Sequence, residues 1–320
     1  MTLLVTGAMG HVGYEIVRRA AQRGMQVIGV YRDDLPEAEA KAAGAGVKWL
    51  QCDLSDAAAV RALADAHRID ACIHAAAVSN EAYARPAPLL AVDSNVGATA
   101  NLLEAARCKS WRRFLLVSSG AVFQMRADTK SPIPEDEPTE PANVYSTTKV
   151  CAELLTSMYR TQYELSASTV RISWVFGPPI ISDQPTRGPI PSYLLRALRG
   201  EAIREGGADF GASFTFIDDV ADGLLAAART PQLRFPAYHL GPGVNFTVGQ
   251  VAAAVRKAVP GAVLELGPGT EPWTRFTAIR GPLTGDRFLA DTGYAPTHSL
   301  DAAIGAYADW MRANPEKWRS

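Results

Sequence analysis

Short, largely apolar runs rich in Val, Ile and Leu recur along the first 119 residues, and this constrains the fold more than any other feature. LLV (3–5), QVIGVY (26–31), VKWLQCD (47–53), ACIHAA (71–76) and RFLLVSS (113–119) alternate with helical patterns at 13–23, 56–67 and about 96–106. Strands that are apolar on both faces must be covered on both faces, and strands joined through helices run parallel. The expected fold class is therefore α/β: a doubly wound parallel Rossmann sheet with a smaller C-terminal substrate lobe.

The rest of the chain is compatible with one body and one lobe. After Ser119 the segment SPIPEDEPTEPANV is too rich in proline for a helix or central strand, so it reads as a surface loop leading to a helix from Tyr145 to about Tyr163. STVRISWVF (168–176) reads as a strand, GPPIISDQPTRGPIP interrupts the pattern, and FTFIDDVADGLLAAA (214–228) restores a strand and helix. Further helices are expected near 247–258 and 300–313. The division that follows is a dinucleotide-binding domain at 1–174 plus about 212–240, and a substrate lobe at about 175–211 plus 241–320.

Charge and cysteine usage narrow the function classes. With 32 basic and 33 acidic residues the formal charge is -1, and no block of like charge offers a footprint for nucleic acid or an anionic membrane. The four cysteines, Cys52, Cys72, Cys108 and Cys151, lie singly in or beside apolar runs, as reduced thiols do, and no spacing suggests a metal site. MTLLVTGAMG passes from apolar strand to glycines with no basic leader, and no apolar run approaches 18 residues, so a cytoplasmic protein acting on a small molecule is the expectation.

Thr6-Gly7-Ala8-Met9-Gly10-His11-Val12-Gly13 follows the first strand and opens the first helix. Glycines after a strand also make ordinary turns, but here they would let the backbone approach a pyrophosphate seated on a helix N-terminus. At the end of the second strand, Arg32 can pair with a 2′-phosphate, while Asp33 or Asp34 can reach ribose hydroxyls. This places NADP ahead of NAD. Asp53, ending the next strand, is positioned for the adenine side or for a helix N-cap.

Tyr145 and Lys149 stand four residues apart on a helix and so share a face. A phenol whose reference pKa is about 10 becomes a useful base when a positive charge stabilises its phenolate, a role this spacing gives to Lys149. Ser118 and Ser119 end a strand where an open α/β sheet binds ligands, and a hydroxyl there can polarise a reacting C–O group. Alone, YxxxK is usually a surface pair and Ser-Ser usually turn chemistry. Together, downstream of a dinucleotide loop, they point to oxidoreduction.

These segments resemble the extended short-chain dehydrogenase/reductases of the NAD(P)-dependent epimerase/dehydratase type, over nearly the whole chain. TGAMGHVG matches TGxxGxxG, CDLSD the adenine-side Asp-Leu, IHAAA the HxAA segment and NVGATANLLEAA an Asn-containing helix start. SSGAVF, YSTTK, VRISWVFGPP, FTFIDDVADGL and ADTGYAPTHSLDAAIGAYADW match later family segments. The resemblance implies cofactor contacts from Gly7, Met9, Gly10, His11, Val12, Gly13, Arg32, Asp53, Leu54, Ala75, Ala76, Ala77, Asn95, Tyr145 and Lys149, with Ser119, Tyr145 and Lys149 catalytic. It also implies a homodimer formed by the helices starting near Val96 and Tyr145.

Departures bear on the substrate. Gly120-Ala121 follows Ser119 where sugar dehydratases carry Asp-Glu, and Trp174, Gly188 and Ala212 stand at positions that help nucleotide-sugar epimerases hold a diphosphate. A substrate without a nucleotide handle is expected. Ser79, Ser119, Gly120, Tyr145, Trp174, Arg187 and Arg275 are candidates to bind it; Arg187, Arg275 and Arg280 form a set suited to a carboxylate or small phosphate, although any one of them could be a solvated surface side chain. The leading expectation is a dehydrogenase or reductase interconverting a secondary alcohol and a ketone or lactone on a small sugar, sugar acid or hydroxy acid. The alternative is an epimerase of a free or nucleotide-linked sugar that retains NAD, and a third reading, a dinucleotide sensor without catalysis, conflicts with the intact Tyr/Lys pair.

Overall fold

The structure, a computed structural model, describes residues 1–275 and 277–319. Six strands, β1 (Thr2–Thr6), β2 (Gln26–Tyr31), β3 (Val47–Gln51), β4 (Ala71–His74), β5 (Arg113–Ser119) and β6 (Ala167–Ile172), are joined late in the chain by Ala237–Leu240. They form a seven-stranded parallel sheet in the order Ala237–Leu240, β6, β5, β4, β1, β2, β3. Strand order reverses between β1 and β4, which opens a crevice at their C-terminal ends.

Alternation along each strand sends successive side chains to opposite faces. Leu3 and Val5 pack on one face with Ile16, Val17 and Leu224. Leu4 packs on the other with Leu102, Leu103 and Phe114. In chain order, the helices of this half are α1 (His11–Gln22), α2 (Glu37–Ala42), α3 (Ala57–Ala66), α4 (Glu81–Ala84), α5 (Pro88–Val92), α6 (Ala98–Cys108) and α7 (Val144–Gln162). The α7 start is set by a capping box: Asn143 Oδ1 accepts from Ser146 N at 2.9 Å, and Ser146 Oγ accepts from Asn143 N at 3.0 Å. Such caps contribute about 1 kcal/mol.

The second half supplies α8 (Pro189–Leu198), α9 (Ile217–Arg229), α10 (Val248–Ala258), α11 (Asp286–Thr292) and α12 (Leu300–Ala313). α8, α10 and α12 bury Tyr193, Val251, Val255, Ile304, Tyr307 and Met311 in a core of their own. α9 packs against the main sheet through Val220 and Leu224. α11 does so as well: Phe288 is buried with Tyr238 and Leu225, although its place in the sequence suggested the smaller lobe.

Two local departures from the sequence pattern shape the crevice. The run at 168–176 is not one strand: β6 ends at Ile172, Trp174 adopts φ 39°, and Val175–Phe176 pairs with Thr215–Phe216 outside the main sheet. Trp174 is held edge-on to Phe210 and Phe214, at 5.5 and 5.7 Å between ring centroids. Ahead of α6, Asp93–Gly97 forms a π-helical turn, a device frequent at functional sites.

Two histidines are sealed in this body. His74 is 1 % exposed and His239 fully buried, and desolvation drives each pKa down to about 3, with Lys149 adding to the effect on His74 and Arg171 to that on His239. The unfolded chain takes up protons near pH 6.5 while the folded chain does not, so each histidine removes about 1.4 kcal/mol of stability per pH unit as pH falls below about 6. Chemical denaturation from pH 7 to 4.5 is expected to show this loss, with a shallower slope in His74→Gln.

Candidate active site

The switch-point crevice is a cavity of about 530 Å³ whose wall includes Gly7, Met9, Gly10, His11, Val12, Gly13, Ala75, Ala76, Ala77, Ser79, Ser119, Tyr145, Lys149, Trp174, Arg187 and Arg280. The loop after β1 fits a dinucleotide. Gly7 has φ +63° and a Cβ there would lie 2.7 Å from Ala76 Cα; one on Gly13 would lie 2.1 Å from the Gly7 carbonyl oxygen. α1 starts directly after it with no side-chain cap and no acid in its first turn, so free N–H groups and the positive dipole end face the cavity. His11 fastens this loop to the next wall through Nε2, which donates to Gly177 O at 3.0 Å; burial holds the ring neutral, with a pKa of about 4.

At the end of β2, Arg32 is already forked onto a carboxylate, with Nε and Nη2 donating to the two Asp33 oxygens at 2.9 and 3.0 Å. Asp53 accepts from Ser55 N and Oγ at 2.9 and 2.7 Å, Leu54 joins the core with Val60 and Leu102, and neither forms part of the cavity wall.

A continuous polar chain links β4 to α7. Thr99 Oγ1 donates to Asn95 O at 2.7 Å, so it accepts from His74 Nε2 at 3.1 Å, which leaves His74 Nδ1 to accept from Thr6 Oγ1 at 2.7 Å. Asn95 lies behind the cavity wall. Its Oδ1 accepts from Val78 N at 2.8 Å and its Nδ2 donates to Thr148 Oγ1 at 2.9 Å, while Thr148 donates to Tyr145 O at 2.9 Å. Glu81 of α4 accepts from Tyr145 N at 3.0 Å, a carboxylate at a helix N-terminus that no sequence motif announced.

Burial pushes the Tyr145 phenol up, while a hydrogen bond from Ser119 and the Arg280 charge draw it down. Lys149, the residue expected to supply the positive charge, is engaged elsewhere. Its Nζ donates to Val117 O at 2.7 Å, and burial lowers its pKa to about 8 against the opposing pull of Glu153. Ser118 also borders the cavity, but the residue is buried and its hydroxyl is committed to Glu153, to which it donates at 2.5 Å. Ser119 remains the hydroxyl at the cavity.

On the substrate side, Ser79, Trp174 and Arg187 line the cavity as expected, and Arg187 lies over the Tyr83 ring at 5.7 Å. Two expectations need correction. Arg275 is exposed and does not reach the wall, because its short 3₁₀ turn buries Trp273 instead. Gly120 lies behind the wall, where a Cβ would crowd Leu283 at 3.1 Å and Arg280 at 3.3 Å. Arg280, one of several arginines in the sequence, is the one brought to Tyr145.

Fold and site together define an enzyme of the extended short-chain dehydrogenase/reductase type. The sequence profile of the NAD dependent epimerase/dehydratase family matches residues 3–241, and the chain belongs to that family. It is 29% identical over 322 residues to a UDP-glucose 4-epimerase of Mycolicibacterium smegmatis, covering 98% of this chain and 99% of the relative. A UDP-glucuronate 4-epimerase of Thermodesulfobacterium geofontis is 28% identical over 270 residues, 80% of each chain. The UDP-glucose 4-epimerase of Thermus thermophilus in complex with NAD superposes with a TM-score of 0.83 at 23% identity, over 98% of this chain and 99% of that one, a likeness of fold. These relatives favour the epimerase alternative over the dehydrogenase expectation.

Removing the phenolic hydroxyl in Tyr145→Phe is expected to lower turnover roughly 10²- to 10⁴-fold with dinucleotide affinity unchanged. Steady-state kinetics and a fluorescence titration of the same preparation check both halves; turnover near the parent level would remove Tyr145 from the chemistry.

Proposed function

We propose that the protein is an NAD-retaining sugar epimerase that inverts one carbinol carbon through a ketone held in the cavity. The observation that carries the chemistry is that Ser119, Tyr145 and Lys149 line one cavity beside the uncapped start of α1. Kinship with the two UDP-sugar epimerases supports inversion over net oxidation. Bound along the loop after β1, the dinucleotide supplies a hydride acceptor and donor. Ser119 donates a hydrogen bond to the reacting oxygen, and Tyr145 as phenolate takes the hydroxyl proton. When the carbon is reduced again from its other face, Tyr145 returns that proton to the oxygen, so no net acid or base is consumed. Lys149 leaves Val117 O to donate to ribose hydroxyls and bring its charge under the phenol.

The fork between Arg32 and Asp33 supports NAD rather than the NADP first expected. The guanidinium charge is neutralised, and Asp33 offers a carboxylate to ribose hydroxyls. A second reading, net dehydrogenation of a free sugar acid, is favoured by the diphosphate positions: Ala212 is paired with Phe246, and Gly188 is overlaid by Trp174, 2.7 Å from where its Cβ would stand.

Protein incubated with UDP-linked and free hexoses and hexuronates is expected to give the epimer by NMR without net absorbance change at 340 nm, and to bind NAD roughly tenfold or more tighter than NADP. Stoichiometric reduction of added cofactor would select the dehydrogenase reading.

We propose further that α7 is covered by a second copy of the chain. Leu154 is 65% and Met158 36% exposed on it, beside the exposed Leu89, Leu90 and Val92 of α5. Sedimentation is expected to give twice 34.2 kDa and Leu154→Glu to give monomer; a monomeric parent would contradict this.

A further inference from the structure

Among the described residues, four Lys and Arg side chains are buried. Arg171 pairs with Glu153 at 2.7 Å, Arg113 donates to Ser166 Oγ and Thr230 O at 2.8 Å each with its Nε left unpartnered, and Lys149 donates to Val117 O at 2.7 Å. Of the three buried arginines, only Arg280 lines the cavity. It is 9% exposed, yet its guanidinium meets only Thr277 Oγ1 at 3.2 Å, Ala278 O at 3.4 Å and Ser173 Oγ at 3.5 Å, and no described carboxylate lies within 4.0 Å. A planar fork of five donors with three long contacts is a buried charge without a counter-ion, an arrangement folding alone disfavours.

Its surroundings say what the charge is for. Arg280 lines the cavity, and its charge acts on the Tyr145 phenol. Gly120, the residue after Ser119, leaves room for it: a side chain there would press on Nε from 3.3 Å. The Thr277 hydroxyl, also on the cavity wall, flanks the fork and can donate to the same ligand. Arg187, in contrast, is only half-buried and lies over the Tyr83 ring, so water and that ring accommodate its charge.

We propose that Arg280 captures a carboxylate on the sugar whose hydroxyl Tyr145 works on, which makes the substrate a sugar acid whether or not a nucleotide is attached. The inference rests on placing the reacting sugar at Tyr145. A carboxylate supplies the two coplanar acceptors that the fork lacks and converts the cost of the buried charge into selectivity over the neutral sugar.

The test is calorimetric titration of the NAD-loaded protein with a hexuronate and the matching hexose, each free and UDP-linked, in the parent, Tyr145→Phe, Arg280→Leu and Arg280→Gln. The parent and Tyr145→Phe are expected to bind the uronate roughly tenfold tighter or more than the hexose. Both Arg280 variants should lose that preference with hexose affinity unchanged, and without sugar their Tm should equal or exceed the parent's, since an unpaired charge has left the interior. Equal affinity for the two sugars in the parent, a preference that survives in the variants, or a lowered Tm in both variants overturns the proposal. Turnover of a neutral hexose without uronate preference overturns it and leaves the epimerase reading intact; Arg280-dependent uronate binding without epimer formation does the reverse.

Discussion

Lys149 carries an ammonium into a site where only 4 % of the residue stays exposed, and the rest of the active site is arranged around that burial. An ammonium taken out of water needs compensation, which comes from Val117 O, its acceptor near the end of β5, and from the negative charge of Glu153 one turn further along α7. Glu153 is itself buried, and it is held by Arg171 of β6 and by the Ser118 hydroxyl. The helix, two strand ends and a serine are therefore tied into one polar assembly under the cavity floor. Breaking any member would leave a buried charge uncompensated, which is costlier than never having had the pair.

A second polar chain positions the other end of the helix. Thr6, His74, Thr99, Asn95 and Thr148 pass hydrogen bonds from the strand that carries the glycine loop to the backbone of Tyr145. With every donor matched to an acceptor, the chain has one satisfied arrangement, and this fixes α7 relative to the cofactor loop. Position at this level is what proton transfer requires, because the phenol must sit within hydrogen-bond reach of both Ser119 and the substrate oxygen.

Much of this was legible in the sequence, for local reasons. Strand alternation, the glycine loop, the helix from Tyr145 and the strand end at Ser119 are each written within a few consecutive residues. Arg280 was visible only as one arginine among several. Its placement depends on an irregular segment that a distant loop holds, with Ile133 N donating to Pro282 O at 2.8 Å and Thr284 N donating to Ile133 O at 3.0 Å, and no periodicity encodes such a contact. Arg275 misled for the same reason, since a step of five positions in the sequence leads from an exposed side chain to a buried one. That Arg32 is forked onto the neighbouring Asp33 carboxylate is likewise not encoded in the residue order, which offers the two side chains as separate candidates.

The central claim is that hydride leaves and returns to one carbon of a sugar that stays bound. A substrate deuterated at the reacting carbon tests it most directly, with the product and the cofactor pool examined by NMR. The account predicts that the inverted product keeps its deuterium at that carbon while none enters added NAD. Deuterium accumulating in the cofactor pool, with ketone released, would contradict it.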